Sequence, residues 1–202
     1  MKPLLIVSGV VFVLVGAGLG ILFSTPTPND VTISPTATGT DNTSGTGLPF
    51  SLPNVAKSKP EGVPYSEIAN PSGFVNTDGI TLGELVGKKV ILVDFMTYSC
   101  INCQRTFPYL NAWYQKYKDQ GLEIVGIHTP EFAFEKNRDN VIEAMKKFGI
   151  THPVVLDNDY ATWGAYGNRY WPRKYLIDIH GNIVYDHIGE GAYDVTEKKI
   201  QE

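Results

Sequence analysis

One short stretch of this chain, residues 89–108, constrains the fold more than any other because it joins a predicted buried strand directly to a predicted helix. Residues 90–96 are apolar apart from Asp94, which is typical of a central strand covered on both faces. Cys100 and Cys103 follow a short turn and lie in the first turn of the helix, where free backbone N–H groups and the helix dipole favour thiolate over thiol. We therefore expect Cys100 to be an attacking sulfur and Cys103 to be a resolving sulfur.

The two cysteines could instead form a structural disulfide or half of a metal site. A bridge between residues three apart closes a very small loop, so it would stabilise the fold little through chain entropy. Zinc or iron would normally need a second pair of ligands, and the sequence contains 2 cysteines in all. The context therefore favours redox chemistry, with a Cu(I) carrier and a peroxidase as alternatives from other classes. Under the redox interpretation we expect no metal and no cofactor other than a Cys100–Cys103 disulfide.

Asp94 is the one acidic residue inside the predicted central strand. A buried carboxylate is costly unless it has a partner or a function. It could be held by hidden hydrogen-bond donors, or it could accept the proton of the resolving thiol, with a pKa raised by burial. Because Asp94 lies at the base of the turn that carries the cysteines, the sequence favours the second role.

The first 23 residues are predicted to form a transmembrane anchor. Residues 3–23 are almost continuously apolar and would span about 30 Å as a helix, enough to cross the hydrocarbon core of a bilayer. Lys2 precedes this run and the next basic residue is Lys57, which predicts a cytoplasmic amino terminus and an external remainder. A cleaved signal peptide is the alternative, although no clear Ala-x-Ala site follows the run.

The rest of the chain divides into a linker and one globular domain. Residues 24–62 are rich in Thr, Ser, Pro, Gly and Asn and predict a flexible linker, whereas residues 63–202 have the composition of a folded core. The formal charge is −4, without a clustered basic face, which argues against nucleic acid as a partner.

Strand and helix patterns alternate along the globular domain, which predicts an α/β fold with parallel strands. After the cysteine helix come a strand at 122–128, a helix at 137–148 and a strand at 153–156, and then an antiparallel hairpin. Smaller predicted elements are a first strand at 74–76, a short helix at 81–87, the two hairpin strands at 174–179 and 183–188, and a last short helix.

Several short segments carry a family resemblance when they are taken together in this order. They lie at 93–95, 98–103, 128–132, 157–159, 162–163, 170–172, 175–178 and 189–191. With them, the domain from about residue 73 to the end resembles the thioredoxin fold, and more closely the TlpA-like family and the thioredoxin domain of DipZ-like proteins. The resemblance implies a thioredoxin-like α/β fold with a central mixed β-sheet flanked by helices.

The resemblance also implies roles for individual residues. Cys100 matches the exposed nucleophile, Cys103 the buried resolving cysteine and Asp94 the buried acid of the family. Pro172 matches the cis-proline beside the disulfide, and Trp171 matches a residue that lines the substrate groove. We add four neighbours of these positions to the predicted groove, one of which, Glu131, could assist proton transfer or only cap a loop: Tyr98, Ile101, Asn102 and Glu131.

Together these features predict an exported, membrane-tethered thiol–disulfide oxidoreductase. We expect it to act in the reductive direction on exported proteins, with apocytochrome c thiols as one candidate client, and the oxidative direction as the first alternative. DipZ-like proteins carry a multi-pass electron-conducting domain that this sequence lacks. The predicted electron donor is therefore a separate membrane thiol reductase.

Overall fold

The computed structural model describes residues 62–202. The predicted anchor at 1–23 lies outside the described residues, and so does the predicted linker at 24–62 except for residue 62. From residue 62 onward, the protein has no helix that is both long enough and apolar enough to cross a membrane.

Seven strands form one mixed sheet in the described part of the chain. In the sheet they follow the order β1-β7-β6-β3-β4-β5-β2. The strands are β1 (Val63–Pro64), β2 (Gly73–Val75), β3 (Val90–Met96), β4 (Leu122–His128), β5 (Val154–Leu156), β6 (Arg173–Ile177) and β7 (Asn182–Ile188).

Within residues 62–202, the α-helices that accompany the sheet are α1 (Ile101–Tyr117), α2 (Arg138–Lys147), α3 (Ala161–Ala165) and α4 (Tyr193–Gln201). Helix α1 connects β3 to β4, and α2 connects β4 to β5, and each of these two strand pairs is parallel. The hairpin strand β6 pairs antiparallel with β3 on its other side, which makes the sheet mixed. This is the architecture that the thioredoxin resemblance implies.

Strand β3 lies in the middle of the sheet, and its side chains alternate between two separate hydrophobic cores. Leu92 and Met96 point to the core that α1 and α2 cover, where Cys103 is also buried. Val93 and Phe95 point to the opposite core, against which Trp163 of α3 packs. The alternation puts Asp94 on the same face as Leu92 and Met96, beneath helix α1.

The predicted short helix at 81–87 is wrong. The chain there forms hydrogen-bonded turns in which the N–H groups of Leu85 and Val86 both donate to the carbonyl of Leu82, at 3.0 and 3.1 Å. A segment this short gains few helical hydrogen bonds for the ordering that nucleation costs. Gly87 does end the segment as predicted, with a left-handed φ of 83°.

Candidate redox site

The two cysteines lie at the junction between β3 and α1, and both are free thiols. Cys100 is the N-cap residue of α1, with an extended backbone, and it is half-buried. Cys103 is fully buried in the core beneath the helix. Cys100 is therefore the more accessible thiol and Cys103 is shielded from solvent, as the family resemblance implies.

Cys100 is an acidic thiol. The Cys103 thiol and the backbone of Cys103 and Asn102 stabilise its thiolate, and they outweigh partial burial and the nearby charge of Glu131, so the pKa falls to about 6. These backbone groups belong to the first turn of α1, where N–H groups have no partner within the helix. At neutral pH most of Cys100 is therefore thiolate, the nucleophilic form.

Cys103 has the opposite character. Burial, the Cys100 thiol and the negative charge of Asp94 together raise the pKa of Cys103 far above that of a free cysteine. It stays a protonated thiol at neutral pH. To act as a nucleophile it needs a group that accepts its proton.

Asp94, the proton acceptor that the sequence predicts, has a partner that the sequence did not reveal. Its carboxylate lies 3.3 Å from the ammonium nitrogen of Lys174, and each of the two side chains is 1% exposed. The residues are directly opposite each other on β3 and β6. Burial raises the pKa of Asp94, and the charge and proximity of Lys174 oppose that rise. Asp94 thus has a buried cationic partner and a raised pKa.

The Trp171–Pro172 peptide bond is cis, as the resemblance implies. The Pro172 carbonyl accepts a hydrogen bond from the Gly189 N–H at 2.8 Å, which joins it to the end of β7. The Trp171 ring nitrogen donates to the Thr129 carbonyl at 3.0 Å, and the ring packs 4.2 Å from that of Trp163. Trp171 is therefore fixed from both sides while part of it stays exposed.

The remaining predicted groove residues surround the cysteines in different ways. Ile101 is strongly exposed beside Cys100. The Asn102 side chain accepts a long hydrogen bond from Arg105, at 3.4 Å. Tyr98 stacks on the His128 ring at 5.6 Å and also lines a groove of about 380 Å³ between α1 and α2. Glu131 is exposed, and its charge raises the pKa of Cys100.

Sequence reasoning missed a buried carboxylate beside the site, that of Glu135. Its side chain is fully buried and accepts hydrogen bonds from Thr97 and Ser99, in the turn before Cys100, and from the N–H groups of Glu131 and Phe132. In the sequence Glu135 stands among exposed residues, and no local pattern marks it as buried. Only the juxtaposition of two loops reveals its position.

His128, at the end of β4, is also fully buried. Burial lowers its pKa to about 4, against a weaker opposing effect of the Glu135 charge, so the ring is neutral at neutral pH. Its Nε2 atom lies 3.4 Å from the Thr97 hydroxyl. Within residues 62–202, no cluster of three or more His, Cys, Asp or Glu side chains is placed to hold a metal ion.

The fold and the paired thiols define a thioredoxin-like protein, and comparisons with known proteins agree. The Redoxin family model matches residues 69–201, and the chain belongs to this family. A solved thioredoxin-like protein in its oxidized form superimposes with a TM-score of 0.64 at 28% identity, over 69% of this chain and 93% of the other.

Two sequence relatives agree with the predicted resemblance. Protein DipZ of Mycobacterium tuberculosis is 52% identical over 134 residues, which cover 65% of this chain and 19% of DipZ. Thiol-disulfide oxidoreductase YkuV of Bacillus subtilis is 28% identical over 137 residues, which cover 68% of this chain and 91% of YkuV. At the level of family, these relatives confirm the resemblance and the predicted class, a thioredoxin-like thiol–disulfide oxidoreductase. The chain spans about a fifth of the length of DipZ.

Proposed function

We propose that this protein is an exported, membrane-tethered oxidoreductase that reduces disulfides of exported proteins through Cys100 and Cys103. The observation that carries the proposal is the asymmetry of the two thiols. Cys100 is half-buried with a pKa lowered to about 6, whereas the pKa of buried Cys103 is raised. Thiol–disulfide exchange needs one thiol that attacks readily and a second that reacts only after the first has formed a mixed disulfide.

In the first step, the Cys100 thiolate attacks one sulfur of the client disulfide. A Cys100–client disulfide forms, the client S–S bond breaks, and the other client sulfur leaves as a thiolate. We expect cis-Pro172, Trp171 and exposed Ile101 to hold the client chain beside the attacking sulfur.

In the second step, Cys103 loses its proton to Asp94 and attacks the Cys100 sulfur of the mixed disulfide. The second client thiolate leaves, and a Cys100–Cys103 disulfide remains. Two electrons have then passed from the protein to the client. The negative charge of Asp94 already acts on Cys103, and its raised pKa makes it a better proton acceptor than an ordinary aspartate.

The reductive direction is supported by the acidity of Cys100. Its pKa of about 6 is closer to that of the attacking cysteine in thioredoxin, about 7, than to the value in DsbA, about 3.5. A very acidic thiol stabilises the reduced protein and makes it an oxidant. A midpoint potential near about −270 mV would support reduction, and one near about −120 mV would support the oxidative alternative.

The cellular setting of the reaction is proposed from the sequence. Residues 1–23 serve as the anchor, residues 24–62 as the linker and residues 63–202 as the redox domain. After each turnover, a membrane thiol reductase must return two electrons to the Cys100–Cys103 disulfide. Apocytochrome c thiols are a candidate client, because they must be reduced to react with haem.

The test compares Cys100→Ser with Cys103→Ser in the full chain. Cys100→Ser should abolish the reduction of insulin disulfides by dithiothreitol-regenerated protein, because no attacking thiolate remains. Cys103→Ser should also stop turnover, but it should accumulate mixed disulfides with clients that mass spectrometry detects. If both variants retain full activity, the assigned roles are wrong.

A further inference from the structure

Glu135 connects the turn that carries the cysteines to a separate loop at the surface. One carboxylate oxygen accepts hydrogen bonds from the Thr97 hydroxyl and, at 2.6 Å, from the Ser99 hydroxyl. The other oxygen accepts from the N–H groups of Glu131 and Phe132, at 2.6 and 2.8 Å. Each oxygen therefore holds a different segment, and a single side chain bridges the two.

The backbone of Thr97 interacts with both cysteines. Its carbonyl accepts a hydrogen bond from the Cys100 N–H, at 3.3 Å. Its backbone also stabilises the ionised form of Cys103. The position of Thr97 thus affects the orientation of the Cys100 backbone at the start of α1 and the surroundings of the Cys103 sulfur.

The other end of the connection is an aromatic surface. Phe132 and Phe134 are 49% and 54% exposed, and their rings stack at 5.6 Å with an angle of 5° between them. The Tyr98 hydroxyl, on the cysteine side, donates to the Phe134 carbonyl at 3.4 Å. The two segments that Glu135 joins therefore meet again at the surface next to the site.

Glu135 forms its strongest bridge between the two segments when its side chain is an ionised carboxylate. Burial opposes its ionisation, but the hydrogen bonds from Ser99, Thr97, Phe132 and Glu131 outweigh that effect and hold its pKa below the usual value. A glutamine would replace one acceptor oxygen with an NH₂ group. If the NH₂ group faces the 131–132 backbone, it meets two N–H donors. If it faces Thr97 and Ser99, it donates to neutral hydroxyls without the charge assistance that a carboxylate gives, so either orientation weakens the clamp.

We propose that Glu135 is a positioning residue: its carboxylate clamps the 97–99 turn to the 131–132 backbone and thereby keeps the Cys100 sulfur aligned with the first N–H groups of α1. The inference rests on the proposed redox role of Cys100. It assigns to Glu135 no contact with the client and no proton transfer.

The experiment measures the pH dependence of Cys100 alkylation by iodoacetamide in Glu135→Gln and in the parent protein, both reduced. Loss of the clamp should let the turn move away from the helix N-terminus and raise the alkylation midpoint by about half a pH unit or more, since each half unit is roughly a threefold change in equilibrium. Below pH 6, the rate should therefore fall about threefold.

Two further variants make the result specific. Glu143→Gln makes the same chemical change on the exposed surface of α2 and should leave the alkylation profile unchanged. Ser99→Ala removes one of the four hydrogen bonds without placing an amide in the clamp, and should shift the profile in the same direction by a smaller amount. If Glu135→Gln shows no cooperative thermal melt and is therefore unfolded, the Ser99→Ala profile tests the clamp in its place.

An alkylation profile of folded Glu135→Gln that superimposes on the parent profile would overturn the inference, as would an unshifted Ser99→Ala profile if the glutamine variant does not fold. Neither result bears on the proposed function, which is contradicted instead by an unreactive parent Cys100 or by full activity of both cysteine variants. A shift in Glu135→Gln with none in Glu143→Gln supports the clamp.

Discussion

The two faces of the central sheet differ more than their shared strands suggest. The face beneath α1 buries ionisable groups next to the core: Asp94, Lys174, Cys103 and His128. The opposite face surrounds Phe95 with aromatic rings, since Trp163, Tyr166 and Tyr175 lie at centroid distances of 5.9, 5.2 and 5.9 Å in edge-to-face arrangements. Neighbouring residues of β3, Asp94 and Phe95, thus belong to two different environments.

The two faces therefore differ in role: one carries the reactive thiol, and the other contributes packing. Buried charges are costly, and the ion pair of Asp94 and Lys174 lies on the face that also buries the Cys103 thiol. The aromatic face contributes packing, which holds β3 in place without taking part in proton transfer. Three substitutions test whether the two faces differ in this way.

The largest effect is expected for Asp94→Asn. The amide keeps the size of the side chain but cannot accept the Cys103 proton, so resolution of the mixed disulfide should slow by about a hundredfold. The first attack by Cys100 should change little, because the Cys103 thiol and the first turn of α1 set its pKa. Rapid acid quenching with a disulfide peptide separates the two steps. Equal slowing of both steps would indicate a structural acid only.

A smaller, pH-dependent effect is expected for Lys174→Met. Asp94 must be ionised to accept a proton, so resolution should speed up as pH rises through the pKa of Asp94. Lys174 lowers that pKa, so its removal should move the rise to higher pH and slow resolution at pH values below the new midpoint. Lys146→Met, at an exposed site on α2, is the control. A rise at the parental pH would contradict the role of Lys174.

The smallest effect on chemistry is expected for Phe95→Leu. It leaves a partial cavity among three aromatic rings, and the free energy of unfolding should fall by roughly 1–2 kcal/mol. The pH profile of Cys100 alkylation should stay that of the parent, because the change is on the other face. Urea unfolding and the alkylation assay measure the two quantities. A shifted alkylation profile would show that the faces are coupled.

Local patterns in the sequence were enough to predict most of the fold. The predicted strand at 122–128 coincides with β4, and the predicted helix at 137–148 contains α2, with Asn137 as its N-cap residue. Apolar periodicity and capping residues decide such elements, and both are visible within one segment. The cis peptide before Pro172, by contrast, followed from the family resemblance alone.

The residues that the sequence did not reveal depend on contacts between distant segments. Lys174 precedes an apolar run in β6, and its burial becomes evident only once the register places it opposite Asp94. Glu135 lies 38 positions from Thr97, and a charged residue between Phe134 and Lys136 resembles an ordinary surface residue. Single-sequence patterns carry no information about such pairs.

The asymmetry of the two thiols can be measured as the pH dependence of alkylation at each thiol of the reduced parent protein. With iodoacetamide in excess and mass spectrometry of the labelled peptides, Cys100 should react with a midpoint near its pKa of about 6, while Cys103 stays unlabelled in the folded protein. A midpoint for Cys100 near the value of free cysteine, about 8.5, or equal labelling of the two thiols, would contradict the assignment of Cys100 as the attacking thiol and Cys103 as the resolving thiol.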